Sequence, residues 1–294
     1  MSEPALAERI FRAQMNLRKS LSDILKRLVL CYAPERLLIE LKKVHYARAL
    51  RKQKPDQEPE FLVVRRLVRS GDCVIDIGAN IGTYTVLLSS LVGAHGHVFS
   101  MEPVPVTFEI LCSNIRRLKL ENITARSIAV SDHSGRVVMA IPHYPAGGEN
   151  YYEASVVKSG NGVGEGHRIV EVEADTLDSV LVANNRPIRF AKVDVERHEL
   201  ACLRCALKTI ASSRPAWLVE VSGNPDDPLS PGHEVVELMN GHGYETYRFD
   251  GQKLHGRRQG DHSTNYFFLT AQHVEELRAG GLAVDSERDQ ATGH

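Results

Sequence analysis

The sequence predicts an α/β protein built on a mostly parallel sheet. Three observations carry this. From residue 72 onward, short continuous apolar runs alternate with stretches of helical periodicity. The first run, DCVIDIG, has the unbroken apolar character of a strand buried on both faces. Strand and helix alternate through the middle of the chain, which calls for right-handed crossovers between parallel neighbours.

The elements follow in order. Residues 5–52 read as helices: Leu21, Ile24, Leu25 and Leu28 repeat at helical spacing, Pro34 ends that stretch, and PERLLIELKKV starts another with proline at its head. RKQKPDQEPE is polar and reads as a linker, and 58–69 as a short helix. After DCVIDIG come a helix ending at Gly93, the strand GHVFSMEP, the helix VPVTFEILCSNIRRLKL and the strand ITARSIAVSD. RVVMAIP and HRIVEVEA pair as an inserted β-hairpin across a glycine-rich loop at about 142–167, a length usual only for functional or disordered loops. TLDSVLVA is a helix, IRFAKVDVE a strand, HELACLRCALKTIAS one helix, PAWLVEVSG a strand and HEVVELMNGHG a helix. YETYRF and NYFFLT are the last strands, and 276–294 reads as a polar, unstructured tail.

Bulk chemistry narrows the class. The chain has 294 residues and a formal net charge of −1, so it offers nucleic acid no global attraction. Residues 1–55 nevertheless hold 13 Lys/Arg against 5 Asp/Glu. That basic helical extension, residues 1–57, is either a solvated face or a contact with a membrane surface or acidic partner. Five scattered cysteines suit a reducing compartment. The N-terminus shows no apolar leader, and LVLCYA is too short to span a bilayer, so a cytoplasmic protein is expected.

VIDIGANIGTYT poses the functional question. A dinucleotide loop wants G-x-G-x-x-G, but only Gly78 falls in place; the pattern is Asp76-x-Gly78-x-Asn80-x-Gly82. Asn80 can stand in for glycine because asparagine tolerates left-handed backbone angles. A pyrophosphate wants no anion nearby, whereas Asp76 at the strand end suits a cationic ligand group. S-adenosylmethionine carries an ammonium and a sulfonium and no phosphate. Glu102, at the end of the next strand, suits two ribose hydroxyls. Asp132, in AVSD, either meets an adenine amino group or opens a turn before Ser134-Gly135.

A second cluster, AKVDVERHEL, should face the same crevice, because ligands bind beyond the carboxyl ends of parallel strands. Methyl transfer to a hydroxyl is helped by a base, and His198 titrates near neutrality. Asp194 could orient it, hold the hydroxyl or act as base itself; the cluster could also hold Mg²⁺, or Glu196, His198 and Glu199 could simply cap a helix. Cys202 and Cys205 match C-x-x-C but fall inside a predicted helix, and no full zinc ligand set is evident. No metal is assigned.

Together VIDIGANIGTYT, MEP with Glu102, AVSD, TLDS, KVDVERHELACLRCA and NYFFL resemble the FkbM-type methyltransferases, over residues 58–270. The resemblance implies a Rossmann-like class I fold with a seven-stranded, mostly parallel sheet, a domain at 58–275, and S-adenosyl-L-methionine as cofactor. It implies O-methylation of a hydroxyl on a sugar, glycan or natural product. Asp76, Gly78, Asn80, Gly82, Glu102 and Asp132 then become cofactor residues, and Asp194 with His198 the catalytic pair. Glycine is usual in that family at the positions of Arg197 and Cys205. The rivals are an NAD-dependent oxidoreductase, a silent adenosine-binding module working through the basic N-terminus, and a methyltransferase acting on protein or RNA. No nucleic-acid partner is expected.

Overall fold

The computed structural model describes residues 34–142, 154–157 and 167–285. The helices expected before Pro34, most of the glycine-rich loop and the last nine residues lie outside the described residues. The chain divides into two compact units, residues 1–45 and 46–294. Helix α1, Glu35–Arg51, begins as PERLLIELKKV predicts, with the Pro34 carbonyl accepting from the Leu37 and Leu38 N–H groups.

In the second unit, α2 (Phe61–Leu67) leads into β1 (Cys73–Ile77), α3 (Thr83–Val92), β2 (His97–Met101) and α4 (Pro105–Leu118). β3 (Ile123–Arg126), β4 (Ala129–Val130), β5 (Gly135–Ile141), β6 (Ser155–Val156) and β7 (Arg168–Asp175) follow. Next come α5 (Leu177–Val180), β8 (Ile188–Val193), α6 (Glu199–Arg204), α7 (Leu207–Ser213), β9 (Ala216–Glu220) and α8 (Pro231–Gly241). β10 (Glu245–Phe249), β11 (Lys253–Gly256), β12 (Asn265–Leu269), α9 (Ala271–Ala279) and β13 (Ala283–Asp285) complete it.

The main sheet runs β13-β11-β10-β12-β9-β8-β1-β2-β3. Its centre, β9-β8-β1-β2-β3, is parallel throughout, and β12 and β10 add antiparallel. All five residues of β1 are buried, as an unbroken apolar run requires. Side chains of β1 alternate: Ile75 and Ile77 join a core with Trp217 and Phe268, while Val74 joins the opposite core with Phe190 and Phe267. Each fully buried side chain of this size contributes about 1.5–3 kcal/mol.

Four expectations are corrected. The sheet has nine strands instead of seven: β11, in the polar run KLHG, and β13 are added. Residues 276–285, read as tail, instead complete α9 and form β13, which pairs in parallel with β11. The strand read as ITARSIAVSD breaks after Arg126, and Ala129–Val130 joins a second sheet, β4-β7-β5-β6. The expected hairpin is β5 with β7, from Gly135 opposite Ala174 to Ile141 opposite Arg168. The single helix read in HELACLRCALKTIAS is two. The Asp178 carboxylate accepts from the Lys208 and Thr209 N–H groups and restarts the helix from a distant segment.

Candidate active site

The loop from β1 to α3 turns through three left-handed positions, Gly78 (φ 74°), Asn80 (φ 51°) and Gly82 (φ 102°). Gly78 is required twice over, because a Cβ there would overlap the Asp194 carbonyl. The Gly78 and Ala79 N–H groups donate to the Met101 carbonyl at 2.9 Å, and the Asn114 side chain donates to the Ile81 carbonyl at 2.8 Å. The turn is thus pinned to β2 and α4.

Asp76 is placed differently from the expectation. It is fully buried on the Val74 face of β1, beneath the loop, and lines neither the cavity described next nor the surface. Its Oδ2 accepts from Thr85 Oγ1 at 2.6 Å, and Thr85 is in turn 3.0 Å from Ser100 Oγ. Burial pushes its carboxyl up, opposed by the Lys192 ammonium. Its visible work is to anchor the first turn of α3.

A cavity of about 250 Å³ opens beyond the carboxyl ends of β1, β2, β8 and β9. Gly78, Asn80, Glu102, Asp194, His198 and Glu220 line it, with Val104, Ile128, Val130 and Met139 as apolar walls. Glu102 is buried, and each carboxylate oxygen accepts one backbone N–H at 2.9 Å, from Asn80 and from Val104. Burial lifts its carboxyl to about 7 despite those two donors. S-adenosylmethionine fits this donor set: a fixed acid for ribose hydroxyls, apolar walls for a flat base, and a glycine loop the ligand can approach closely. Asp132 lies elsewhere. Its side chain is more than half exposed, hydrogen-bonded to His133 at 2.8 Å, and faces a neighbouring cleft. The break after Arg126 carries it away and puts Ile128 and Ala129 at the cavity.

Across from Glu102, the Lys192 ammonium donates to Asp194 Oδ2 at 2.7 Å and lies 4.7 Å from the Tyr84 ring centroid. Burial pulls Lys192 down, but Asp194 and Asp76 overcome that and hold it above the ordinary lysine value. Burial likewise pushes Asp194 up, and Lys192 more than offsets it, so Asp194 is ionised. Glu220 hydrogen-bonds Asp194, and its own carboxyl is lifted to about 7, by burial first and then by the Asp194 charge. The two therefore act as a coupled pair. His198 Nε2 lies 3.0 Å from Ser131 Oγ. Glu199 is buried and structural: Oε1 accepts from the Arg197 N–H at 2.9 Å and from Ser222 Oγ at 2.7 Å. The preceding turn holds Glu196 at φ 21° and Arg197 at φ 66°, conformations costing about 1–2 kcal/mol in a residue with a Cβ.

Sequence reasoning missed Glu220 and Lys192. Glu220 ends a parallel strand, so the rule that singled out Glu102 and Asp194 also reaches it. Lys192 is a buried lysine in the largely apolar strand IRFAKV, itself a signal of a partner. Cys202 and Cys205 are buried thiols donating to the Val130 and Cys202 carbonyls at 3.0 and 2.9 Å. Among the described residues no group of three or more His, Cys, Asp and Glu side chains is arranged to hold a metal ion, and no helix is long and apolar enough to cross a membrane.

Comparison with known proteins shows the family to which the chain belongs. The sequence profile described as Methyltransferase FkbM domain matches residues 76–246, more than half of the chain. The chain belongs to the FkbM methyltransferase family, whose methyl donor is S-adenosylmethionine. A protein-L-isoaspartate O-methyltransferase of Ignicoccus hospitalis is 29% identical over 83 residues, 28% of this chain and 38% of that protein. The same-named protein of Methanothrix thermoacetophila is 32% identical over 57 residues, 19% of this chain. The chain thus matches well under half the length of these relatives, 38% and 27%. The crystal structure of an FkbM methyltransferase from Methylobacillus flagellatus KT has a TM-score of 0.44 and 16% identity, covering 72% of this chain and 50% of that one.

Proposed function

We propose that this protein transfers the methyl group of S-adenosylmethionine to a hydroxyl oxygen of a small-molecule acceptor, a sugar, glycan or natural product. The observation that carries the reading is Asp194, held by the Lys192 ammonium at 2.7 Å, lining one small cavity together with Glu220 and Glu102. Glu102 would take the ribose hydroxyls and the Gly78–Gly82 turn the methionine end. When bound, the cofactor supplies a methyl group made electrophilic by its sulfonium.

The chain's own residues then act on the acceptor. An acceptor hydroxyl that takes the methyl group the cofactor would supply must lose its proton. The Asp194–Glu220 pair receives that proton, with Lys192 fixing Asp194 in place. A pair with one member near neutrality is matched to this task. His198, at the cavity rim, orients the acceptor. Against a nucleic-acid acceptor, the chain beyond residue 55 is acidic on balance.

The test begins with calorimetric titration of S-adenosylhomocysteine and NAD⁺ into the purified protein and a Glu102→Ala variant. Binding of the first alone, weakened by the substitution, supports the cofactor site. Labelled methyl transfer to a panel of hydroxyl compounds then supports the acceptor class if Asp194→Ala abolishes it. Binding of NAD⁺ instead, or transfer only to protein or RNA, overturns the reading.

A further inference from the structure

A second cleft, of about 620 Å³, adjoins the cavity and shares His198 and Val156 with it. We propose that this cleft docks an oxyanion carried by the acceptor, a carboxylate or a phosphate, on the guanidinium of Arg197. The inference rests on the methyl-transfer reading and names a feature of its substrate.

Charge in the cleft is unevenly matched. Asp132 is paired with His133, Arg204 with Glu234 at 2.8 Å, and Arg136 with Glu171 at 2.9 Å. Arg197 also lines the cleft, yet its guanidinium makes no hydrogen bond or ion pair among the described residues; only its backbone N–H is engaged. Arg197 is thus the one arginine lining the cleft whose guanidinium has no partner among the described residues.

The backbone adds an independent argument. Arg197 follows Glu196 at positive φ, and its own φ of 66° is a glycine's conformation. Buried Glu199 and half-buried Ser222 hold its N–H and so impose the turn. A bulky cation in a conformation glycine would adopt freely points to use of the side chain, since strain of this kind collects at functional sites. The planar fork of arginine matches the two oxygens of a carboxylate or phosphate. An acceptor held there reaches the Asp194–Glu220 pair past His198, the residue common to both spaces. Leu200, Val138 and Pro231 give its carbon skeleton apolar wall.

The test uses the full chain saturated with S-adenosylhomocysteine and titrated with inorganic phosphate and, separately, with acetate. The readout is the arginine Nε–H resonance in nitrogen-15 spectra, assigned to Arg197 by its loss in Arg197→Lys. The expected result is a saturable shift of that signal by at least one anion, weakened about tenfold by high salt. Arg197→Gly should lose most anion affinity, while it binds S-adenosylhomocysteine as before and melts no lower than the parent, because glycine suits the turn. Response to phosphate alone assigns a phosphorylated acceptor; response to acetate alone, a carboxylate. No saturable shift with either anion, or undiminished binding in Arg197→Gly, overturns the proposal. Failure to bind S-adenosylhomocysteine would instead strike the reading beneath it, and the anion titrations of the unloaded chain would still report on Arg197.

Discussion

The Cα of Gly78 passes so close to Asp194 that any side chain at Gly78 would collide with the Asp194 carbonyl oxygen. The loop after β1 and the turn after β8 are therefore one object: two walls of the cavity touch through their backbones.

Gly78→Ala must part them. The substitution combines a backbone clash with a positive φ of 74°. It is expected to destabilise the protein by about 1–3 kcal/mol and to weaken S-adenosylhomocysteine binding more than tenfold, since strain at such a position has nowhere to relax. Gly82→Ala should be milder, because the clash there is with the movable end of Leu111. Urea melts and calorimetry of both variants decide it; equal effects would mean the contact with Asp194 does not matter.

Under the proposed cofactor role of Glu102, binding is expected to depend on pH. Its carboxyl is raised from 4.5 to about 7. The folded protein thus holds this proton more tightly than the unfolded chain, so the stability Glu102 contributes is present at low pH and falls as pH rises from 4.5 to about 7. Ribose hydroxyls favour the ionised form, so ligand affinity moves the other way. S-adenosylhomocysteine should bind about tenfold more tightly at pH 8 than at pH 6. Glu102→Gln should bind weakly at both, with the pH dependence removed.

Much of this was legible in residues, and the failures have physical causes. The parallel centre of the sheet follows from unbroken apolar runs, and Asn80 from its tolerance of left-handed angles. Glu102 and Asp194 line the cavity beyond the strand ends, where the strand-end rule places them. Asp76 was found and misplaced, because alternation along β1 turns its side chain away from the ligand face, and the motif alone does not say where the strand stops. Asp132 was misplaced because nothing local in ITARSIAVSD marks the break after Arg126; buried Ile128 and Ala129 decide it through tertiary packing. β11 and β13 carry weak patterns and exist because neighbours pair with them. The division of α6 from α7 depends on Asp178, about thirty residues earlier in the chain.

The position of Asp76 has its own consequence. Thr85→Val keeps shape but removes the hydroxyl donor to a buried carboxylate whose other oxygen already lacks a partner among the described residues. The expected cost is about 1–3 kcal/mol of stability. Cofactor affinity, measured at a temperature where the variant is folded, should change less than threefold. A large loss of affinity at unchanged stability would place Asp76 at the ligand after all.

Substitution of Lys192 separates a structural role from a chemical one for the Asp194–Glu220 pair proposed to take the proton. It is buried with Asp76 and Asp194 as its anions, so Lys192→Met leaves two carboxylates without their cation and should cost about 3 kcal/mol. The same change releases Asp194, whose carboxyl Lys192 holds below the ordinary range. Methyl transfer should rise with pH in the parent as Glu220 loses its proton near 7, freeing the pair to accept one. In Lys192→Met that rise should move to higher pH, because both carboxyls then keep their protons longer. Glu220→Gln should flatten it while leaving S-adenosylhomocysteine affinity intact. A lowered rate with an unmoved pH profile in Lys192→Met would make the lysine a prop for the sheet and would leave the proton to His198.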